Sequence, residues 1–196
     1  VGFGGIVAGV HRLIVGAPYK DNGGVSRGSA FLYPVLAAGV LKEWQGTQDN
    51  EHFGWSVSGG YDFSGNGIPD VVIGSPDYDG IGADAGRVST YSGAGTFPLF
   101  ELLSGAAAGD QYGFSVAALE DVDLDGRADF VVGAPGVNGT TGVIYIHSGV
   151  TNHPILYQKI GLPDENFGSA VASAGDTNND SHTDVVAGGP NKGTLH

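Results

Sequence analysis

Cysteine is absent from the 196 residues, so the chain has no disulfide framework, no thiolate metal site and no cysteine nucleophile. Its redox compartment stays open, because a chain without thiols tolerates either. Methionine is absent too, and the chain begins at Val1, which reads as a processed or excised piece of something longer. Basic residues are scarce, eight Lys and Arg against 21 Asp and Glu, for a formal charge of −13. That balance argues against nucleic acid or an anionic membrane as partner, since phosphate binding needs cations. No run of about 18 apolar residues occurs, so no membrane insertion is expected. No window of helical length carries a 3.6-residue apolar period with capping residues.

Glycine, by contrast, is abundant: 36 residues, far above the usual share of about 7%. Without a collagen period, that excess marks a domain dense in turns. The acid is clustered. Asp62, Asp70, Asp121, Asp123, Asp125, Asp129, Asp176, Asp180 and Asp184 fall in three short windows, a pattern that suggests cations rather than general solubility.

The chain repeats itself. "FGGIVAGV" from Phe3, "FGWSVSGG" from Phe53, "YGFSVAAL" from Tyr112 and "FGSAVASA" from Phe167 begin alike. "RLIVGAP" at 12–18, "DVVIGSP" at 70–76, "DFVVGAP" at 129–135 and "DVVAGGP" at 184–190 end alike, 58, 59 and 55 residues apart. A period of this size means a repeat architecture. Short β-branched runs closed by Gly-X-Pro read as strands. Alternating segments follow ("SAFLYPV", "GRVSTYS", "GVIYIHS"), then "VLKEWQ", "PLFELL" and "PILYQK". Four short strands per period fit an all-β fold, the blade of a β-propeller, with the second and third strands the more buried. The aromatic-glycine and Gly-X-Pro marks read as packing and turn residues rather than functional ones.

Between the first and second strands of three repeats lies one loop layout. Asp62, Ser64, Asn66 and Asp70 stand at positions one, three, five and nine; so do Asp121, Asp123, Asp125 and Asp129, and Asp176, Asn178, Asp180 and Asp184. Every one of these twelve carries a side-chain oxygen, and position seven (Ile68, Arg127, His182) could add its backbone carbonyl. Hard oxygens in a tight loop suit calcium better than zinc, copper or magnesium. An EF-hand is excluded, because position twelve is Ile73, Val132 or Ala187 where it needs a bidentate Glu, and a strand follows in place of a helix. The first repeat passes through "AGVHRLIVGAP" with no acidic loop, so a blade is expected to form without the ion.

Together these signatures resemble the FG-GAP repeat, found in the β-propeller of integrin α subunits and in many secreted or surface proteins. The resemblance covers nearly the whole chain and implies seven blades, calcium in hairpin loops on one face, and ligand contacts mainly on the opposite face. It places blades at 1–50, 51–110 and 111–165, and a partial fourth at 166–196, about 3.5 four-stranded blades in all. A closed ring at this period needs on the order of 400 residues. The expectation is therefore half a ring, completed by the remaining half of the propeller or by a second copy of the chain, since open edges invite pairing.

No catalytic constellation stands out, and no enzyme is expected. "GVSRG" at 24–28 matches a nucleophile elbow on paper, but that motif needs a strand before Ser26 and a helix after it. The six histidines show no zinc spacing. Recognition is sought instead in the loops 19–28, 77–86 and 136–142 and the inter-blade connections beside them. Tyr19, Asp77 and Tyr78 are candidate ligand contacts there, and Asn138 lies in an Asn-Gly-Thr sequon. The resulting expectation is a calcium-stabilised, secreted or cell-surface module for adhesion or for binding a protein or glycan ligand. The alternatives are the accessory propeller of a secreted hydrolase or phospholipase, or a lectin.

Overall fold

Glycine-closed apolar runs pair into antiparallel meanders, each strand hydrogen-bonded to the next in sequence. The computed structural model describes residues 6–7, 12–96 and 98–191. The first sheet runs in the order β1 (Ile6–Val7), β2 (Arg12–Ala17), β3 (Ser29–Pro34), β4 (Lys42–Gln45). The second holds β5 (Ser56–Gly59), β6 (Val71–Ser75), β7 (Arg87–Tyr91) and β8 (Leu99–Ser104). The third holds β9 (Ser115–Ala118), β10 (Phe130–Ala134), β11 (Val143–His147) and β12 (Ile155–Ile160). A two-stranded sheet of β13 (Ala170–Gly175) and β14 (Asp184–Gly188) follows. There is no helix among the described residues, and the architecture is that of a partial β-propeller. The opening residues 1–5, with the first aromatic-glycine pair, and the closing residues 192–196 lie outside the described residues, as do residues 8–11 between β1 and β2.

The repeated aromatic-glycine pairs hold the blades together. Phe53, Tyr112 and Phe167 are buried, and each forms a parallel bridge to the glycine that precedes the third strand of the blade before it: Gly28, Gly86 and Gly142. The glycine after each aromatic lies at φ between +85° and +88°, a conformation that disfavours any side chain. Its N–H donates to the Gly-X-Pro glycine of its own blade, Gly54 to Gly74, Gly113 to Gly133 and Gly168 to Gly188, each at 3.1 Å. The same Gly-X-Pro glycine in one blade touches the aromatic-glycine of the next. A Cβ on Gly74 would lie 2.0 Å from the Gly113 carbonyl oxygen, and one on Gly133 would lie 2.0 Å from that of Gly168. Two backbones thus meet where a methyl group does not fit.

Burial follows the expected gradient with one addition. β6 and β10 are buried throughout and β7 nearly so, but the innermost strand β9 is buried as well. The outermost strand β12 is exposed along its length, and so is most of β13, which no further blade among the described residues covers. The core lies in the seams between blades. Phe63, Val88, Tyr112, Val116 and Phe130 fill the second seam, and Ile14, Leu32, Trp44, Phe53 and Ile73 fill the first.

Candidate metal centre

The meander places the β5–β6 and β9–β10 loops at the same end of their blades as the β7–β8 and β11–β12 turns, and in both blades the aspartate at position nine joins loop to turn. Asp129, fully buried, accepts the Val122 N–H at 2.7 Å through Oδ2 and the Gly149 N–H at 2.9 Å through Oδ1. Asp70 does the same in the second blade, accepting Ser64 N–H at 2.7 Å and Gly93 N–H at 2.8 Å. Asp184 accepts Thr177 N–H at 2.8 Å. Position one gathers the loop backbone. Asp62 accepts the N–H of Gly65 at 2.7 Å and of Asn66 at 3.1 Å, Asp121 those of Gly126 at 2.7 Å and Asp125 at 3.0 Å, and Asp176 those of Ser181 at 2.9 Å and Asp180 at 3.1 Å.

In the third blade the carboxylates converge. Asp121, Asp123 and Asp129 each offer an oxygen, and the three atoms lie within 4.8 Å of one another. Of the four side-chain donors expected in that loop, the structure draws these three together. Asp125 instead accepts Arg127 N–H at 2.9 Å and Ser148 Oγ–H at 3.0 Å. Three anions this close repel unless a cation lies between them. Burial pushes the Asp129 carboxyl up to about 6, and Asp123 and Asp121 add to the effect, against the two N–H groups that favour the anion. Asp123 is raised too, first by its own desolvation and then by Asp125. A hard divalent cation fits this donor set, which Asp121, Asp123 and Asp129 could supply.

The other two loops keep the frame with fewer convergent carboxylates. In the second blade Asn66 Oδ1 accepts Ile68 N–H at 2.8 Å while its Nδ2 donates to Ser92 at 2.8 Å, and the Ser64 hydroxyl donates to Asp62 at 3.3 Å. Burial raises the Asp70 carboxyl. In the fourth, Asp180 accepts His182 N–H at 2.8 Å and the Asn178 amide at 3.0 Å. Hydrogen bonds with Thr177 hold the Asp184 carboxyl below its ordinary value. At position seven Ile68 and His182 are exposed and Arg127 is half-buried, its guanidinium donating to the Phe63 carbonyl of the neighbouring loop at 3.5 Å. Successive loops are tied together: Ala128 N–H donates to the Asp62 carbonyl at 3.0 Å, and Thr183 Oγ–H to Glu120 at 3.1 Å.

The opposite end carries the long loops. The β2–β3 type loops pair with the connections to the next blade through Asn50 N–H to Val25 at 2.7 Å, Gly109 N–H to Ala83 at 2.8 Å and Asn166 N–H to Thr140 at 2.6 Å. Tyr19 is 65% exposed, with the His52 ring 5.0 Å away. Asp77 is tied to His52 Nδ1 at 2.5 Å, and the Tyr78 ring lies 3.9 Å beneath the Arg87 guanidinium. Ser26 sits in a loop with its N–H bound to Asp21 at 2.8 Å, not on a strand-to-helix elbow.

One recurring residue escapes a reading by loop composition. Glu51, Asp110 and Glu165, each two residues before the inter-blade aromatic, are buried. Each closes the turn before it by accepting backbone N–H groups. Glu51 takes Thr47 at 2.7 Å and Gln48 at 2.9 Å, Asp110 takes Ala106 at 2.9 Å and Ala107 at 2.8 Å, and Glu165 takes Leu162 at 2.5 Å. Their constant offset in "NEHFG", "GDQYG" and "DENFG" is the signal that finds them.

Comparison with known proteins finds the same repeat. The model of the FG-GAP repeat matches residues 53–91 and 112–147. Integrin alpha-4 of Xenopus laevis is 28% identical over 189 residues, 91% of this chain and 18% of that protein. Integrin alpha-2 of Mus musculus is 30% identical across 92% of this chain and 16% of that protein. For integrin alpha-2 of Bos taurus the identity is 32% across 90% of this chain and, again, 16% of that protein. The chain thus spans less than a fifth of the length of these relatives.

Proposed function

The chain is one of FG-GAP repeats of the integrin α type, and from that premise we propose that it is a calcium-stabilised module of a secreted or cell-surface protein, working in adhesion by binding rather than by catalysis. The observation that carries the calcium reading is the convergence of Asp121, Asp123 and Asp129 within 4.8 Å in a loop whose layout recurs twice. Calcium neutralises each carboxylate set and fixes the hairpin, so metal binding and folding are linked. The full ligand sets are Asp62, Ser64, Asn66, Asp70 and the Ile68 carbonyl; Asp121, Asp123, Asp125, Asp129 and the Arg127 carbonyl; and Asp176, Asn178, Asp180, Asp184 and the His182 carbonyl. For Asp125 this requires release from Ser148. A saturated oxygen shell leaves no position for substrate, which favours a structural ion over a catalytic one.

Recognition then belongs to the opposite end, where Tyr19 stands out from the loops beside His52, the partner of Asp77, with Tyr78 as the third candidate contact. The partner is a protein or glycan, and the propeller is completed by its remaining half or by a second copy of the chain. The test is capture of the chain, in calcium, by arrays of extracellular-matrix proteins and glycans. Tyr19→Ala is expected to weaken capture with no change in thermal stability. Capture that survives every substitution in the loops 19–28 and 77–86 would place the ligand elsewhere and overturn this reading. The mass of the particle in solution tests completion, because a sharp single-copy species would contradict closure by pairing.

A further inference from the structure

The seam between the first and second blades and the seam between the second and third are built from equivalent positions, filled differently. Gly46 and Gly105 each donate an N–H at 3.0 Å to the carbonyl of the glycine that precedes the third strand of their own blade, Gly28 and Gly86. Those bonds fix the register, so Leu103 on β8 occupies the place of Trp44 on β4. Likewise Val143, which opens β11, occupies the place of Arg87, which opens β7, and Asp110 that of Glu51. In the first seam the buried Trp44 indole packs 5.1 Å from the Tyr91 ring, and Arg87 ion-pairs with the buried Glu51. In the second, both the indole and the guanidinium are missing. Leu103 is only half-buried, and a cavity of about 290 Å³ opens beside it, lined by Tyr112, Tyr145, His147, Ile155 and Asp110.

Asp110 is 6% exposed and receives two backbone N–H groups through Oδ2, but no cation pairs with it among the described residues. The nearby imidazole does not supply one. His147 Nδ1 faces the His153 carbonyl at 2.7 Å, so it carries the proton, and Nε2 faces the Tyr112 hydroxyl at 2.6 Å. Both contacts are satisfied by the neutral ring. The second seam therefore lacks an aromatic ring and a positive charge at the places where the first seam has both. A dry apolar cavity of about 150 Å³ already accepts benzene, so this one has room for a two-ring system.

We propose that this inter-blade cavity binds a small aromatic cation, its ring in the place of the Trp44 indole and its ammonium or amidinium group against the Asp110 carboxylate. The occupant replaces from solution what Trp44 and Arg87 supply from the chain in the neighbouring seam. The site lies between blades, apart from the acidic loops and the exposed loops around Tyr19, and does not depend on the reading of either.

Tryptamine is the probe, with indole as its uncharged counterpart, titrated into the methyl-labelled chain in calcium. Tryptamine is expected to shift the Leu103 and Ile155 methyl resonances with an affinity at least about tenfold above that of indole, a difference of about 1.4 kcal/mol. Leu103→Trp is expected to fill the cavity, raise the melting temperature and abolish binding of both. Asp110→Asn is expected to bring tryptamine down to the level of indole. Should either variant fail to fold, the ratio of the two probes on the wild-type chain and the intermolecular NOEs to Ile155 still decide. Unshifted Leu103 and Ile155 methyls at saturating probe, binding unchanged in Leu103→Trp, or equal affinity for tryptamine and indole would each overturn the proposal.

Discussion

At the scale of single residues, Asp129 joins two elements that are distant in sequence. Its buried carboxylate satisfies the N–H groups of Val122 in the acidic loop and Gly149 in the turn after β11. Asp129→Ala leaves both donors without their acceptor and removes a proposed cation ligand. The expected loss is about 2–4 kcal/mol in calcium by urea unfolding, and a change under about 0.5 kcal/mol would remove Asp129 from this role. His147 makes a separate prediction about pH. Burial lowers its folded pKa to about 4 from 6.5, so between those values the unfolded chain binds more protons than the folded one. Stability is therefore complete above about pH 6.5 and falls as the pH drops toward 4, by on the order of 3 kcal/mol in all. Because other groups titrate in the same window, the measured quantity is the difference in pH slope between the wild type and His147→Gln. Parallel slopes would contradict the assignment.

At the scale of elements, the blade-to-blade contact rests on glycines whose equivalents do not all meet a neighbour. Gly74 and Gly133 face the carbonyl oxygens of Gly113 and Gly168, whereas nothing lies within 4 Å of a Cβ at Gly188, the same position in the fourth sheet. Gly74→Ala and Gly133→Ala are expected to cost about 3 kcal/mol or more by forcing the backbones apart. Gly188→Ala is expected to be within about 1 kcal/mol of neutral, and equal effects at all three would refute the packing account. These glycines were legible in the sequence as Gly-X-Pro marks, because a turn and a close approach need that residue whatever surrounds it. What lay against them was not, since the partner glycine sits 39 residues on from Gly74 and 35 on from Gly133. The buried acids Glu51, Asp110 and Glu165 escaped for a related reason. An acid in a polar loop looks solvated until the fold turns it inward onto its own backbone.

At the scale of the whole molecule, a repeat makes the architecture unusually readable, because four copies of one strand pattern state the same answer. The acidic loops were legible as a layout of oxygens, and the structure brings three of them together as one cluster, Asp121, Asp123 and Asp129. It also engages Asp125 with Ser148, a contact that crosses from one loop to another and leaves no mark in the spacing. The seam cavity beside Leu103 was illegible for the same reason, since it exists only by comparison of one inter-blade contact with the next. The central claim is that divalent cations hold these hairpins in place, and thermal unfolding of the chain with and without chelator tests it most directly. The account predicts that chelation lowers the midpoint and that calcium restores it, by on the order of 5–10 °C for each site at a hundredfold excess over its Kd. A midpoint that does not move between chelator and saturating calcium would contradict it.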